Sequence, residues 1–100
     1  MIKHIVMWKM KKELAGNEKN AALSLMKSQL EGLKEDIPLI RFLEVGLNFN
    51  KSDAAYDIVL VTDFQSKEDL NAYQVHPAHQ KVVEFVRSVT EKRVVVDYEV

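Results

Sequence analysis

The chain has 100 residues, a formal net charge of −1 and no cysteine. This length predicts a single domain over residues 1–100, large enough to bury one core without metals or crosslinks. The lack of cysteine excludes disulfides and thiolate metal sites, and the balanced charge argues against a nucleic-acid-binding protein.

The N-terminal segment predicts neither export nor membrane insertion. Its apolar residues are interrupted by Lys3, His4 and Lys9, so it lacks the continuous apolar region of a secretory signal. No part of the chain approaches the roughly 20 apolar residues that a membrane-spanning helix needs. We therefore expect a cytoplasmic protein that does not bind membranes.

The first two predicted elements are a strand and a long helix. Residues 2–10 alternate in such a way that both faces of the strand have apolar centres, which indicates cover on both sides. Residues 17–36 carry one apolar stripe at helical spacing, with Asn17 as the predicted N-cap. Pro38 ends this helix, because its ring removes a backbone donor.

Two further strands follow, over residues 41–49 and 55–64. Gly46 lies inside the first of them, which indicates a bulge or a close backbone approach. The second has an apolar middle on both faces, like the strand over 2–10. Three aspartates near strand ends are interpreted as solvated edge residues: Asp57, Asp63 and Asp97.

The last part of the chain predicts a divided helix and a final strand. Ser66 and Asp69 have the spacing of a capping box at a helix start. Pro77 interrupts this helix, and a second helical segment is predicted over 78–90. A strand over 92–99 completes the order β-α-β-β-α-β.

This order predicts an α+β, ferredoxin-like fold. Right-handed crossovers then give a four-stranded antiparallel sheet with the helices on one face. The other face would be bare, yet the strands over 2–10 and 55–64 are apolar on that side too. A large apolar sheet face is rarely left in water, and a second copy can cover it symmetrically. We therefore expect a homodimer.

One segment, YQVHPAHQ at residues 73–80, gathers groups that could perform chemistry. Pro77 suits the first position of a helix, so His76 lies near its N-cap and His79 in its first turn. The helix dipole and partial burial both disfavour the imidazolium of His79. His79 as a base and Tyr73 as an oxyanion donor would suit proton abstraction next to a carbonyl. The predicted pocket residues around them are His4, Val6, Trp8, Val59 and His76.

Each of these residues also has a purely structural interpretation. Histidines beside a proline at a helix start often cap the backbone, and His4 alternates with the apolar residues of a core strand. Three imidazoles could hold zinc, but the pattern offers no carboxylate to orient them. We expect no metal and no cofactor.

Six segments of the chain together resemble one known family, the stress-responsive A/B barrel (Dabb) family. They are IKHIVMWKMK at 2–11, IP at 37–38, VGLNF at 45–49, YDIVLVTDF at 56–64, YQVHPAHQKVVEFVR at 73–87 and VVVDYE at 94–99. The HPAH segment with its preceding tyrosine is the most specific of them. The resemblance covers almost the whole chain and implies a dimeric α+β barrel.

The family resemblance says less about activity, because most members have no assigned reaction. One plant member, olivetolic acid cyclase, closes a polyketide without a cofactor. The resemblance to it implies catalytic roles for Tyr73 and His79, with His76 in the same motif and His4 lining the pocket. The pocket walls differ from that enzyme, because aromatic positions along its first helix correspond here to Met26 and Leu30, and Arg93 stands where an apolar wall residue is expected.

Two functions from different classes therefore remain open. In the first, the protein is a dimer of unassigned activity that binds a small apolar ligand between helices and sheet. In the second, it is a cofactor-independent cyclase, isomerase or monooxygenase-like enzyme that acts on a carbonyl compound through His79 and Tyr73. An open apolar cleft of a few hundred Å3 at these two residues would favour binding or catalysis over a filled interior.

Overall fold

Seven elements make up the chain in the computed structural model, which describes residues 1–100. The order is two strands around a long helix, then a third strand, two short helices and a last strand. Their bounds are β1 Ile2–Met10, α1 Gly16–Asp36, β2 Phe42–Leu47, β3 Ile58–Phe64, α2 Lys67–Gln74, α3 Pro77–Val89 and β4 Thr90–Glu99. None of the three helices combines the length and apolar character that crossing a bilayer requires.

The four strands form one antiparallel sheet in the order β2-β3-β1-β4. The predicted α+β, ferredoxin-like architecture is confirmed, with β1 in an interior position. Along β1, alternate residues from Ile2 to Met10 are buried and face the helices. The apolar side chains among them form one core with residues of the helical layer, such as Met26, Leu30 and Leu33 of α1.

Pro77 divides the second helical region as predicted. α2 ends at Gln74, and α3 begins with Pro77 in its first turn, where a missing N–H costs no hydrogen bond. The predicted cap at Ser66 is also present, since its Oγ accepts a hydrogen bond from the Asp69 N–H at 3.2 Å. β4 follows α3 without a loop and starts two residues earlier than predicted.

The predicted helix start of α1 is one residue too late, and the predicted N-cap is two residues too late. Ala15, not Asn17, occupies the N-cap, and no side chain caps the helix. Gly16 has a φ of 56°, a left-handed value that glycine adopts without a Cβ clash. This glycine turns the chain into the helix before Asn17 can act as a cap.

Two other local predictions, those for Gly46 and Asp57, can be compared with the structure. The β2–β3 ladder is regular through Gly46, so the glycine marks a close approach and not a bulge. A Cβ at Gly46 would lie 3.1 Å from Cγ1 of Val59. Asp57 is not a solvated edge residue, because its carboxylate accepts a hydrogen bond from the Met10 N–H at 2.7 Å.

The sheet face away from the helices, here called the open face, is largely apolar. Ile5 of β1 and Val59 and Val61 of β3 lie at its centre and are half-buried. The strand register places several exposed large apolar side chains around them: Met7, Phe42, Val94, Val96 and Tyr98. The predicted bare apolar sheet face is therefore present.

Candidate functional site

The junction between α2 and α3 places three polar rings side by side. Tyr73 lies in the last turn of α2, and His76 is the N-cap residue of α3. The extended backbone of His76 lets its Nδ1 accept a hydrogen bond from the Ala78 N–H at 3.1 Å. Because this cap fixes the first turn of α3, His79 is held with its ring centroid 4.4 Å from that of Tyr73.

A cavity of about 530 Å3 lies beside these rings, between the helical layer and the β1–β4 side of the sheet. Its volume falls within the roughly 300–1,000 Å3 typical of ligand pockets. Tyr73 and His79 line it together with His4. The apolar part of its wall includes Val6, Trp8, Leu30, Leu60, Val82 and Val86.

His79 is held as a neutral proton acceptor. Its Nδ1 lies 3.0 Å from the carbonyl oxygen of Gln74, which can only accept, so Nδ1 carries the hydrogen and Nε2 keeps its lone pair. Burial lowers the pKa of His79 below its ordinary value of 6.5, and the nearby charges of His4, Arg93 and His76 act in the same direction. The Gln74 carbonyl opposes this lowering in part.

Tyr73 is held as a neutral hydrogen-bond donor. Its ring is 1% exposed and packs against Phe64, with 4.9 Å between the ring centroids. Burial raises the pKa of Tyr73 to about 12, and the positive charge of Arg93 opposes part of that rise. The Tyr73 hydroxyl makes no hydrogen bond to another side chain or to the backbone. Every fully buried side-chain N or O atom in the structure does have a hydrogen-bond partner, so this hydroxyl is not fully buried. The hydroxyl is therefore available on the cavity side.

The pair formed by His4 and Asp97 also adjoins the cavity. His4 is 2% exposed, and its Nδ1 lies 2.5 Å from Oδ1 of Asp97. The ring of His4 meets that of Tyr73 edge-on, with 6.1 Å between the centroids. Asp97 is exposed on the edge strand β4, as predicted, but it also has a role that was not predicted, since it orients a buried imidazole of the candidate site. The sequence signal was the alternation of β4, which puts Asp97 on the same face as Arg93.

The structure brings together most, but not all, of the residues predicted for the site. His4, Val6, Trp8, Tyr73 and His79 line the same cavity. His76 is not part of the lining and acts as the cap of α3.

Val59 lies on the other side of the sheet from this cavity. It pairs with Met7 across the β1–β3 ladder, and both residues belong to the open face. The prediction of Val59 as a pocket residue is therefore wrong, because residues of β3 alternate between the two faces and Leu60 takes the cavity side.

The arrangement offers one hydrogen-bond donor and one acceptor beside the apolar part of the cavity wall. The Tyr73 hydroxyl can donate to a carbonyl oxygen, and Nε2 of His79 can accept a proton from a neighbouring atom. No group of three His, Cys, Asp or Glu side chains is arranged to hold a metal ion.

Comparison with known sequences gives one family. The family model described as the stress responsive A/B barrel domain matches residues 2–100. The stress-response A/B barrel domain-containing protein DABB1 of Arabidopsis thaliana is 27% identical over 103 residues. The match covers 98% of this chain and 46% of that protein, so the chain spans about half the length of this curated relative.

Comparison with solved structures gives the same fold. A dimeric protein of unknown function with a ferredoxin-like fold from Bacteroides fragilis is 33% identical, with a TM-score of 0.90 over 99% of this chain and 95% of that chain. Hydroxynitrile lyase from Passiflora edulis is 17% identical, with a TM-score of 0.82 over 97% of this chain and 90% of that chain. The second likeness concerns the fold alone.

Proposed function

Because the chain belongs to the stress-responsive A/B barrel domain family, we propose that it binds a small, largely apolar molecule in the cavity beside Tyr73 and His79. The observation that carries this proposal is the cavity itself, about 530 Å3 of space lined by 17 residues, 8 of them hydrophobic, with Tyr73 and His79 in its wall. A core histidine and tyrosine with only structural roles would be packed against side chains on all sides.

The hydroxyl of Tyr73 and Nε2 of His79 determine which polar atoms of a ligand the cavity can bind. Tyr73 stays protonated because its pKa is raised to about 12, so it donates a hydrogen bond to a carbonyl or similar oxygen. The lone pair on Nε2 of His79 accepts a hydrogen bond from a donor, or a proton from a carbon, next to that oxygen. Apolar contacts with Val6, Trp8 and Val86 would supply most of the affinity.

We further propose that two copies of the chain associate through the open face. Five exposed large apolar side chains lie on this face, and the related protein from Bacteroides fragilis is described as dimeric. The cavity lies on the opposite side of the sheet, so each protomer would carry its own site. Association would stabilise the sheet that forms the floor of the cavity.

A second candidate function is proton transfer without a cofactor. The observation that favours it is the close packing of the neutral His79 ring against the protonated Tyr73 ring, with 4.4 Å between their centroids. His79 would take a proton from the carbon next to a carbonyl, and the electron pair would move to the carbonyl oxygen. Tyr73 would then donate a hydrogen bond to the enolate oxygen, which stabilises that intermediate.

Binding is tested by thermal unfolding in the presence of a panel of alkyl and aryl ketones, such as 2-octanone and acetophenone. We expect at least one compound to raise the Tm of the wild type, and Tyr73→Phe and His79→Asn to reduce this rise. Tyr56→Phe is the matched control, since Tyr56 lies outside the cavity, beside Lys9. Equal Tm shifts in all four proteins would show that the compounds bind elsewhere.

Catalysis is tested separately with the ketones that bind. Proton abstraction at the carbon next to the carbonyl exchanges hydrogen for deuterium in D2O, which proton NMR follows directly. We expect exchange faster than in buffer with the wild type and the Tyr56→Phe control, and loss of that acceleration with His79→Asn. Binding without accelerated exchange would support the proposed ligand-binding function and contradict the proposed proton transfer.

A further inference from the structure

One wall of the cavity carries an excess of positive charge. Arg87 at the end of α3 and Lys92 and Arg93 at the start of β4 line it, against a single acidic residue, Glu91. The Glu91 carboxylate already accepts a hydrogen bond from the Lys12 N–H at 2.8 Å. None of the three cations takes part in the four ion pairs of the chain.

Among these cations, Arg93 is the one that the strand register turns towards the cavity, and the residue is exposed. It pairs with Trp8 across the β1–β4 ladder and therefore lies on the cavity side of the sheet, next to the row that contains Val6 and His4. Its charge acts on both polar groups of the site, since it contributes to lowering the pKa of His79 and opposes the rise at Tyr73. Arg93 is thus within electrostatic reach of the position where a ligand oxygen would lie.

We propose that the cavity selects a small apolar molecule that carries a carboxylate group, and that Arg93 is the residue that binds this group. The inference rests on the proposed ligand-binding function and adds the charge of the ligand to it. The carboxylate would lie at the β4 wall against the guanidinium. The apolar part of the ligand would extend along Leu30, Val82 and Val86.

The choice of a carboxylate follows from the chemistry of this wall. A guanidinium is planar and offers paired N–H donors that match the two oxygens of a carboxylate. A cation at an apolar cavity without an acidic partner lowers the free energy of an anionic ligand relative to a neutral one of the same shape. Such a role would account for an arginine on the cavity side of β4, opposite the apolar residues of β1 and α3.

The test compares octanoate with octanamide, two ligands of nearly equal shape that differ in charge. Each is titrated into the protein, and binding is followed by the NMR signals of Tyr73, His79 and the Val6 methyl groups. We expect octanoate to bind the wild type about tenfold more tightly than octanamide, the magnitude of one charge-assisted contact. Arg93→Gln should abolish this preference without changing the affinity for octanamide.

Arg41→Gln is the matched control, since Arg41 lies away from the cavity and contacts Gln65. It should keep the tenfold preference. Bound octanoate should also raise the pKa of His79, because a nearby anion offsets the charge of Arg93, whereas octanamide should not.

The possible failures are distinguishable. If octanamide binds as tightly as octanoate and shifts the same cavity signals, the charge inference is overturned and the proposed ligand-binding function stands. A preference for octanoate that survives Arg93→Gln would overturn the role of Arg93. If neither compound shifts a cavity signal at millimolar concentration, both the inference and the proposed binding of apolar molecules are contradicted.

Discussion

At the scale of single residues, the state of His79 depends on what surrounds it. The ring is half-buried in the first turn of α3, and three other cationic or titratable groups face it: His4 from β1, His76 from the cap of α3 and Arg93 from β4. Tyr73 of α2 contributes no charge, because it stays protonated. All of this favours the neutral imidazole, which is the form that a base or a hydrogen-bond acceptor requires.

This state predicts a specific pH dependence of stability. The unfolded chain protonates His79 near pH 6.5, whereas the folded chain does so only at lower pH. Between these two values the unfolded state binds more protons, so the free energy of unfolding falls as the pH decreases below 6.5. Above pH 6.5 both states are neutral and the residue contributes nothing to the dependence.

Urea unfolding between pH 4.5 and pH 7.5 measures this dependence for the wild type and His79→Gln. We expect a shallower slope below pH 6.5 in the variant, and a direct NMR titration should give a pKa for His79 below 6.5. A raised pKa, or identical slopes in the two proteins, would contradict the assignment of His79 as a neutral acceptor.

Asp97 offers a second prediction at this scale. Removing its carboxylate in Asp97→Ala takes the partner from the buried Nδ1–H of His4. We expect the free energy of unfolding to fall by about 1 kcal/mol, the lower end of the cost of an unsatisfied buried group, because water reaches this partly exposed site. Glu99→Ala, two residues further along the same face of β4, should change stability by less than about 0.5 kcal/mol. Equal effects of the two changes in chemical denaturation would mean that the His4–Asp97 bond contributes nothing.

At the scale of elements, helix α1 contains two glycines whose replacement by alanine should change stability in opposite directions. Gly32 is exposed in the helix interior, where an added Cβ would meet no atom within 4 Å, whereas Gly16 has a positive φ at the helix start. Gly32→Ala should raise the free energy of unfolding by about 0.5–1 kcal/mol through helix propensity. Gly16→Ala should lower it by about 1–2 kcal/mol, because a Cβ is strained in the left-handed region. Thermal and urea unfolding of both variants checks the two signs, and a stabilising Gly16→Ala would contradict the backbone geometry at residue 16.

The secondary-structure elements were largely predictable from the sequence, but the N-cap of the first helix was not. Periodicity and Pro77 are local signals, so the strands, the helices and the kink before His79 were predictable from neighbouring residues. The N-cap of α1 was not, because Asn17 is a better capping residue than Ala15 and only the φ of Gly16 decides between them. Contacts between side chains distant in the sequence were harder still to predict.

Long-range pairing explains what the sequence missed at the site. Asp97 meets His4, and Arg93 reaches the cavity, only because β4 pairs with β1 in one register. A shift of one residue would turn both side chains to the open face. The residues of the HPAH segment needed no such information, since their geometry follows from one proline. Val59 was misassigned for the related reason that its strand has apolar residues on both faces.

At the scale of the whole molecule, the open face predicts the state of association. Val96→Lys places a charge at the centre of the apolar row on β4, where it would be buried in a face-to-face dimer at a large desolvation cost. We expect light scattering at micromolar concentration to give a dimer mass for the wild type and a monomer mass for this variant.

Val75→Lys is the control for this experiment. Val75 is 73% exposed at the end of α2, in the helical layer and away from the open face, so the same substitution should leave the dimer intact. A monomer mass for the wild type, or dissociation by both substitutions, would contradict association through the open face.

The pairing of β1 with β4 has a consequence for the order in which the molecule assembles. His4 and Asp97, which meet at the candidate site, are 93 positions apart in the chain. Contacts between residues so distant in sequence close large loops, and folding slows as such contacts dominate. We therefore expect the floor and the β4 wall of the cavity to meet later in folding than the helices and the β2–β3 ladder form. The binding site would then be completed with the long-range β1–β4 pairing and not with the secondary structure itself.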